Sequence, residues 1–158
     1  MNAIELLEEQ HREVEALFRK IERAEGREQK TLFAQIAEKL EAHTKIEEKF
    51  LYPNGRQADK EMTLEAYEEH NVAKALIAKI KKTKTSDETF MAKVTVLKEV
   101  IEHHVEEEEG EYFPKLEKTL GEEKLEELGE KMEVMFDRLT GNTKKAGRDS
   151  KEDSRVAA

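Results

Sequence analysis

The sequence predicts an all-α protein, a bundle of two similar helical hairpins with an additional C-terminal helix. Three observations predict it. Apolar residues recur at alternating steps of three and four in five successive segments. Two prolines and seven glycines in 158 residues leave room for long uninterrupted helices, and Glu, Lys, Leu and Ala dominate. A stretch around residue 43 is repeated around residue 104.

The first helix is expected from about Ala3 to Ala24, with Asn2 as N-cap, Glu5 completing a capping-box pair and Gly26 ending it. The second runs from about Glu28 to Phe50, where Pro53-Asn54-Gly55 breaks the chain. The third spans Leu64 to Lys81 behind Thr63 as a cap. The fourth starts after Ser86 or Asp87 and continues to about Glu109, closed by Gly110 and Pro114. The fifth, Glu122 to Leu139, carries Leu125, Leu128, Met132, Met135 and Leu139 on one side, with the methionines as core filler. Residues 1–141 form one domain by length. Residues 142–158, polar and without periodicity, are expected to be a disordered tail.

Composition narrows the chemistry. With no cysteine, disulfides, iron–sulfur clusters, thiolate zinc sites and cysteine nucleophiles are excluded, so any metal must be held by nitrogen and oxygen. A net charge of −9 argues against nucleic acid or an anionic membrane as partner. Met1-Asn2-Ala3 leads straight into an amphipathic pattern, with neither a signal peptide nor a spanning apolar run, so the cytoplasm is the expected location.

The repeat points to a site. Glu41–Pro53 matches Glu102–Pro114; in both, His to Glu is four residues and His to Pro is ten. His11 precedes His43 by 32 residues and His70 precedes His104 by 34, so each hairpin reads as His, then His-x-x-x-Glu. The histidines fall in the apolar seams: Ile4, Leu7, His11, Val14, Phe18, Ile21 in the first helix; Phe33, Ile36, Leu40, His43, Glu47, Phe50 in the second; Ala66, His70, Ala73, Ile77, Ile80 in the third; Val94, Leu97, Ile101, His104, Glu108 in the fourth. Two buried carboxylates at one level would repel each other and lose their hydration. A metal pair offsets that charge, and imidazoles bind it as neutral donors. The four-residue spacing puts His and Glu on one helix face, where Glu can bridge two ions. Four His and two Glu suit iron better than zinc or manganese.

His11, His43-Thr44-Lys45-Ile46-Glu47, His70 and His104-Val105-Glu106-Glu107-Glu108, each His–Glu pair followed by an aromatic and Pro, resemble the hemerythrin-like, or HHE cation-binding, family over roughly residues 3–140. The resemblance implies an antiparallel up-down four-helix bundle. It also implies two iron ions joined by an oxo or hydroxo bridge, with His11, His43, His70 and His104 as terminal ligands and Glu47 and Glu108 bridging. Classical oxygen carriers in that family use a fifth histidine. Here the position four residues after His70 is Lys74 and the fifth histidine, His103, adjoins His104, so the resemblance is to the four-histidine, two-carboxylate branch. His103 with Glu107 is an alternative ligand pair; the seam and the distance to Pro114 favour His104 with Glu108. Glu15, four residues after His11, reads as a solvent-facing partner of Arg19. Tyr52 and Tyr112 read as helix-end packing, as does Tyr67, which stands one turn before His70.

Three functions are compatible with this reading. One is a di-iron protein that binds or senses oxygen, peroxide or nitric oxide, in a stress response. Another is an enzyme with peroxidase, nitric oxide reductase or ferroxidase activity. The third is a structural bundle without metal. A monomer or weak dimer is expected, with a small diatomic or peroxide as ligand and an unknown protein partner for signalling.

Overall fold

The computed structural model describes residues 1–142; of the polar tail expected at 142–158, all but the first residue lies outside them. The chain forms α1 (Ala3–Arg23), α2 (Arg27–Ile46), a π-helical segment (Glu47–Leu51), α3 (Tyr52–Gly55), α4 (Lys60–Lys81), α5 (Phe90–Glu107), a second π-helical segment (Glu108–Tyr112), α6 (Phe113–Leu120) and α7 (Glu122–Leu139). No strand is present among the described residues.

α1 starts at the expected capping box. The Asn2 side chain accepts from the Glu5 N–H, and Glu5 accepts from the Asn2 N–H. Gly26, at φ 56°, turns the chain into α2. α4 starts earlier than expected. Its cap is Asp59, which accepts from the Met62 N–H at 3.0 Å. Thr63 is fully buried inside the helix.

The two prolines do not end their helices. Proline has no N–H and its ring crowds the carbonyl four residues back. Here one extra residue is accommodated in a π turn ahead of it, where the Tyr52 N–H bonds Glu47 O and the Phe113 N–H bonds Glu108 O. Pro53 and Pro114 then sit in the first turn of α3 and α6, where no N–H is needed. Gly110 likewise lies within continuous helix. The inserted residue advances the helical phase, so Phe50 moves out of the core and Leu51 and Tyr52 move in.

α1 packs on α2 and α4 on α5, and the two hairpins close the bundle through α1 against α5 and α2 against α4. α7 lies across α1 and α2 and buries Leu125, Leu128, Met132 and Phe136; Phe136 takes the place expected for Leu139, which is exposed. Gly129 lets α7 reach the chain start, because a Cβ there would stand 2.4 Å from the Met1 carbonyl oxygen. The apolar core is in two parts. One holds Leu7, Ile46, Leu51, Phe113, Leu116 and the α7 residues. The other holds Phe18, Ile36, Leu40, Ile77, Phe90 and Leu97. Between them lies a polar layer.

Candidate metal centre

That layer is His11, His43, Glu47, His70, His104 and Glu108, all buried. The structure therefore brings together the six residues singled out by seam and repeat. The imidazoles converge in pairs: His11 Nε2 is 3.2 Å from His43 Nε2, and His70 Nε2 is 3.2 Å from His104 Nε2. Donor atoms of His11, His43 and Glu108 lie within 4.8 Å of one another, as do those of Glu47, His70 and His104. Each carboxylate spans the two groups. Glu47 Oε1 is 2.9 Å from His43 Nε2 and 3.3 Å from His70 Nε2, and Glu108 Oε1 is 3.1 Å from His104 Nε2 and 3.5 Å from His11 Nε2.

The opposite edge of every ring is engaged. His43 Nδ1 meets Gln10 Oε1 at 2.7 Å and His104 Nδ1 meets Glu69 Oε1 at 2.7 Å. His70 Nδ1 meets Glu48 Oε2 at 3.2 Å and His11 Nδ1 meets Glu109 Oε1 at 2.8 Å. The pattern is pseudo-symmetric. The residue before each hairpin's first His serves the second His of the same hairpin; the residue after each Glu serves the first His of the other. Because these four groups accept, each Nδ1 carries its proton outward and each Nε2 lone pair points inward.

Two inward lone pairs 3.2 Å apart repel unless a cation lies between them. Two nitrogens each about 2.1 Å from one ion, at a right angle, are about 3.0 Å apart, so the spacing fits a shared ion. The Oε1 atoms of Glu47 and Glu108 are buried without a hydrogen-bond partner, which points the same way. In the metal-free chain protons serve instead. Burial alone would lower the imidazole pKa of His104, but the Glu108, Glu69 and Glu47 carboxylates overcome it and hold it well above the ordinary value; His11 and His70 are raised for similar reasons. Burial likewise opposes ionisation of Glu108, and His104 and His11 reverse this, holding it well below the usual carboxylate range.

Sequence reasoning missed Tyr52. Carried inward by the π turn, its buried hydroxyl donates to Glu108 Oε2 at 2.9 Å and lies 3.0 Å from His70 Nε2, with its ring stacked on His70. Its counterpart in the second repeat, Phe113, stacks on His11 without a hydroxyl, so one half of the layer carries a phenol and the other does not. The signal was an aromatic five residues after Glu, just before Pro, in both repeats. Tyr112 does act in packing, bonding Thr63 at 2.6 Å over Gly55. Tyr67 packs edge-on against Tyr52. Glu15 pairs with Arg12 rather than Arg19, and Arg12 in turn holds Glu109. His103 stands outside the layer, 64% exposed.

Above the imidazoles, Val14, Leu40, Ala73, Val100, Ile101 and Val105 enclose a cavity of about 20 Å³, room for about one water-sized molecule. A cleft between α1 and α5 reaches the same His11, Val14, Ile101 and Val105 from the surface.

Residues 2–116 match the hemerythrin HHE cation-binding domain. The chain belongs to this family. A solved structure of an HHE cation-binding domain-containing protein from Mycobacterium kansasii is 29% identical to it, with a TM-score of 0.81 over 94% of this chain and 93% of that one. Uncharacterized proteins of Mycobacterium bovis and Mycobacterium tuberculosis are each 28% identical over 145 residues, 90% of this chain and 89% of theirs. The family assignment agrees with the helical bundle and with a cation-binding domain, in which buried His and Glu donor atoms lie close enough together to share a metal ion. No helix among the described residues is long and apolar enough to cross a membrane.

Proposed function

We propose that this HHE domain holds two iron ions, one between His11 and His43 and one between His70 and His104, with Glu47 and Glu108 bridging them, and that it binds or senses oxygen, peroxide or nitric oxide. The observation that carries this is the pairing of inward Nε2 atoms at 3.2 Å while every Nδ1 is committed to an outer acceptor. Iron is favoured because the donors mix imidazole and carboxylate, and the set leaves coordination positions for an exogenous ligand. When bound, the pair supplies redox chemistry toward such ligands. The protein's part is to fix the imidazoles through their outer acceptors, exclude bulk water with the apolar cavity and place the Tyr52 hydroxyl on one side.

Anaerobic loading with ferrous ion should give two irons per chain, and oxygen or peroxide should then change the near-ultraviolet and visible spectrum. Well under one iron per chain after such loading would return the domain to a metal-free structural role.

An enzymatic reading is favoured by Tyr52 alone. A buried phenol that donates to Glu108 places an O–H hydrogen-bond donor inside the layer. Repeated turnover of peroxide or nitric oxide by the iron-loaded chain, slowed in Tyr52→Phe, would establish it; a single spectral change without turnover would leave binding or sensing.

A further inference from the structure

Each outer carboxylate around the polar layer needs a counter-charge, and two have one. Glu109, under His11, is held by Arg12; Glu48, under His70, is held by Lys74 at 2.9 Å. Glu69, under His104, has no Lys or Arg in ion-pair contact among the described residues. Its second oxygen instead faces His103 Nε2 at 3.7 Å, and His103 Nε2 is 3.1 Å from Glu107 Oε1. Donor atoms of Glu69, His103 and Glu107 lie within 4.8 Å of one another.

The pseudo-symmetry gives this cluster a control. The equivalent positions in the first hairpin are Gln10, Ala42 and Ile46: an amide and two buried apolar side chains on the hairpin that α7 covers. The second hairpin presents carboxylate, imidazole and carboxylate at the same places, open to solvent. A polar surface would be satisfied by any hydrophilic residues. Two carboxylates pressed together beside an imidazole, with no Lys or Arg on the inner one, favour a cation. His103 and Glu107 are one turn apart on α5, and Glu69 faces them from α4. Beside His103, Glu99, Glu102 and Glu106 line a cleft in which Arg12 is outnumbered by carboxylates, and its net negative charge raises the local cation concentration.

We infer that Glu69, His103 and Glu107 form a third metal site, which takes one divalent transition-metal ion from solvent and shares Glu69 with the His104 hydrogen bond. The surface site rests on its own three residues. Its link to the inner pair rests on the proposed function, because only then does a change at Glu69 reach a metal through His104. The outer ion draws charge from Glu69 and weakens its grip on His104 Nδ1.

Zinc ion is the probe, added to the iron-loaded full chain and followed by equilibrium dialysis. The wild type should take up one zinc per chain while keeping its iron. His103→Ala and Glu107→Gln, each a change at a solvent-accessible position outside the buried layer, should weaken that uptake at least about tenfold, or about 1.4 kcal/mol. Equal uptake by wild type and both variants, or no retained zinc in the wild type, would overturn the site. The same comparison in chain never given iron should differ by one equivalent, so failure of the inner pair leaves this test intact. In the iron-loaded wild type, zinc should shift the visible spectrum, and in His103→Ala it should not. Bound zinc with an unmoved spectrum would overturn the sharing of Glu69.

Discussion

Replacing Tyr52 by phenylalanine removes one oxygen atom from the polar layer and nothing else. The ring that stacks on His70 remains, and Phe113 shows that a ring without a hydroxyl fits the equivalent place in the other half. What is lost is the 2.9 Å bond to Glu108 Oε2 and the 3.0 Å contact with His70 Nε2. Burial, with Glu108 and Glu47 alongside, holds the phenol pKa well above its ordinary value, so at neutral pH the hydroxyl keeps its proton and donates. A hydrogen bond to a charged group contributes about 1.5–3 kcal/mol. Tyr52 is fully buried, and about 2 kcal/mol is the expected loss in the metal-free chain. For a chain of this length that corresponds to about 4–8 °C in melting temperature. The assay is thermal unfolding of metal-free wild type and Tyr52→Phe, with iron content measured after loading. Iron should stay at two per chain, because the six candidate ligands are untouched. Equal melting temperatures, or loss of iron from the variant, would refute this assignment of the hydroxyl.

Glu47→Ala and Glu108→Ala should each hold fewer than two irons, since each removes a carboxylate lying between the two histidine pairs; two irons retained in both would sink the bridging assignment. Gly129→Ala should destabilise the fold by about 3 kcal/mol in chemical denaturation, the upper end for overpacking, because its Cβ meets the backbone of Met1, Asn2 and Ala3 within 2.8 Å. The metal-free chain should lose stability as pH rises. His104, His11 and His70 have folded pKa values raised above 6.5, so their contribution is full below 6.5 and disappears as pH climbs through the raised values. Glu108, lowered from 4.5, contributes above 4.5 and fails only in stronger acid. Melting temperature should therefore fall as pH rises above 6.5 without metal and stay nearly flat with iron, which occupies the inward nitrogens without needing protons; a flat metal-free profile would contradict the ion pairing.

The six inward residues were legible because two periodicities coincide on them. His11, His43, His70 and His104 continue apolar seams that set helix orientation, and the repeat fixes which glutamates share their level. The helix ends near Pro53 and Pro114 were not legible, because a π turn is a local change in hydrogen-bond pairing that leaves no periodic trace. That one error hid Tyr52, whose place depends on the phase gained there. The outer acceptors left a fainter mark. Glu48 and Glu109 each follow a layer glutamate, and Gln10 and Glu69 each precede a layer histidine, but polar residues are so common here that only the three-dimensional pairing separates them from the solvated faces. α7 was expected as an additional helix with one apolar side; its docking depends on Gly129 meeting the chain start, a contact between residues far apart in sequence.

The π turns also bear on how such a bundle changes over generations. Each is one residue longer than regular helix would be, so the difference amounts to a single codon. Removing Lys49 would restore ordinary pairing between Glu47 and Tyr52, and the chain after it would keep its phase, because the π turn spends five residues where regular helix spends four. The phenol would keep its place beside Glu108, and His43 and Glu47, upstream of the cut, would keep theirs. A triplet deletion in either repeat is thus a short step by which a lineage could shorten the chain while leaving the groups beside its polar layer, and the histidines and glutamates that define it, in place.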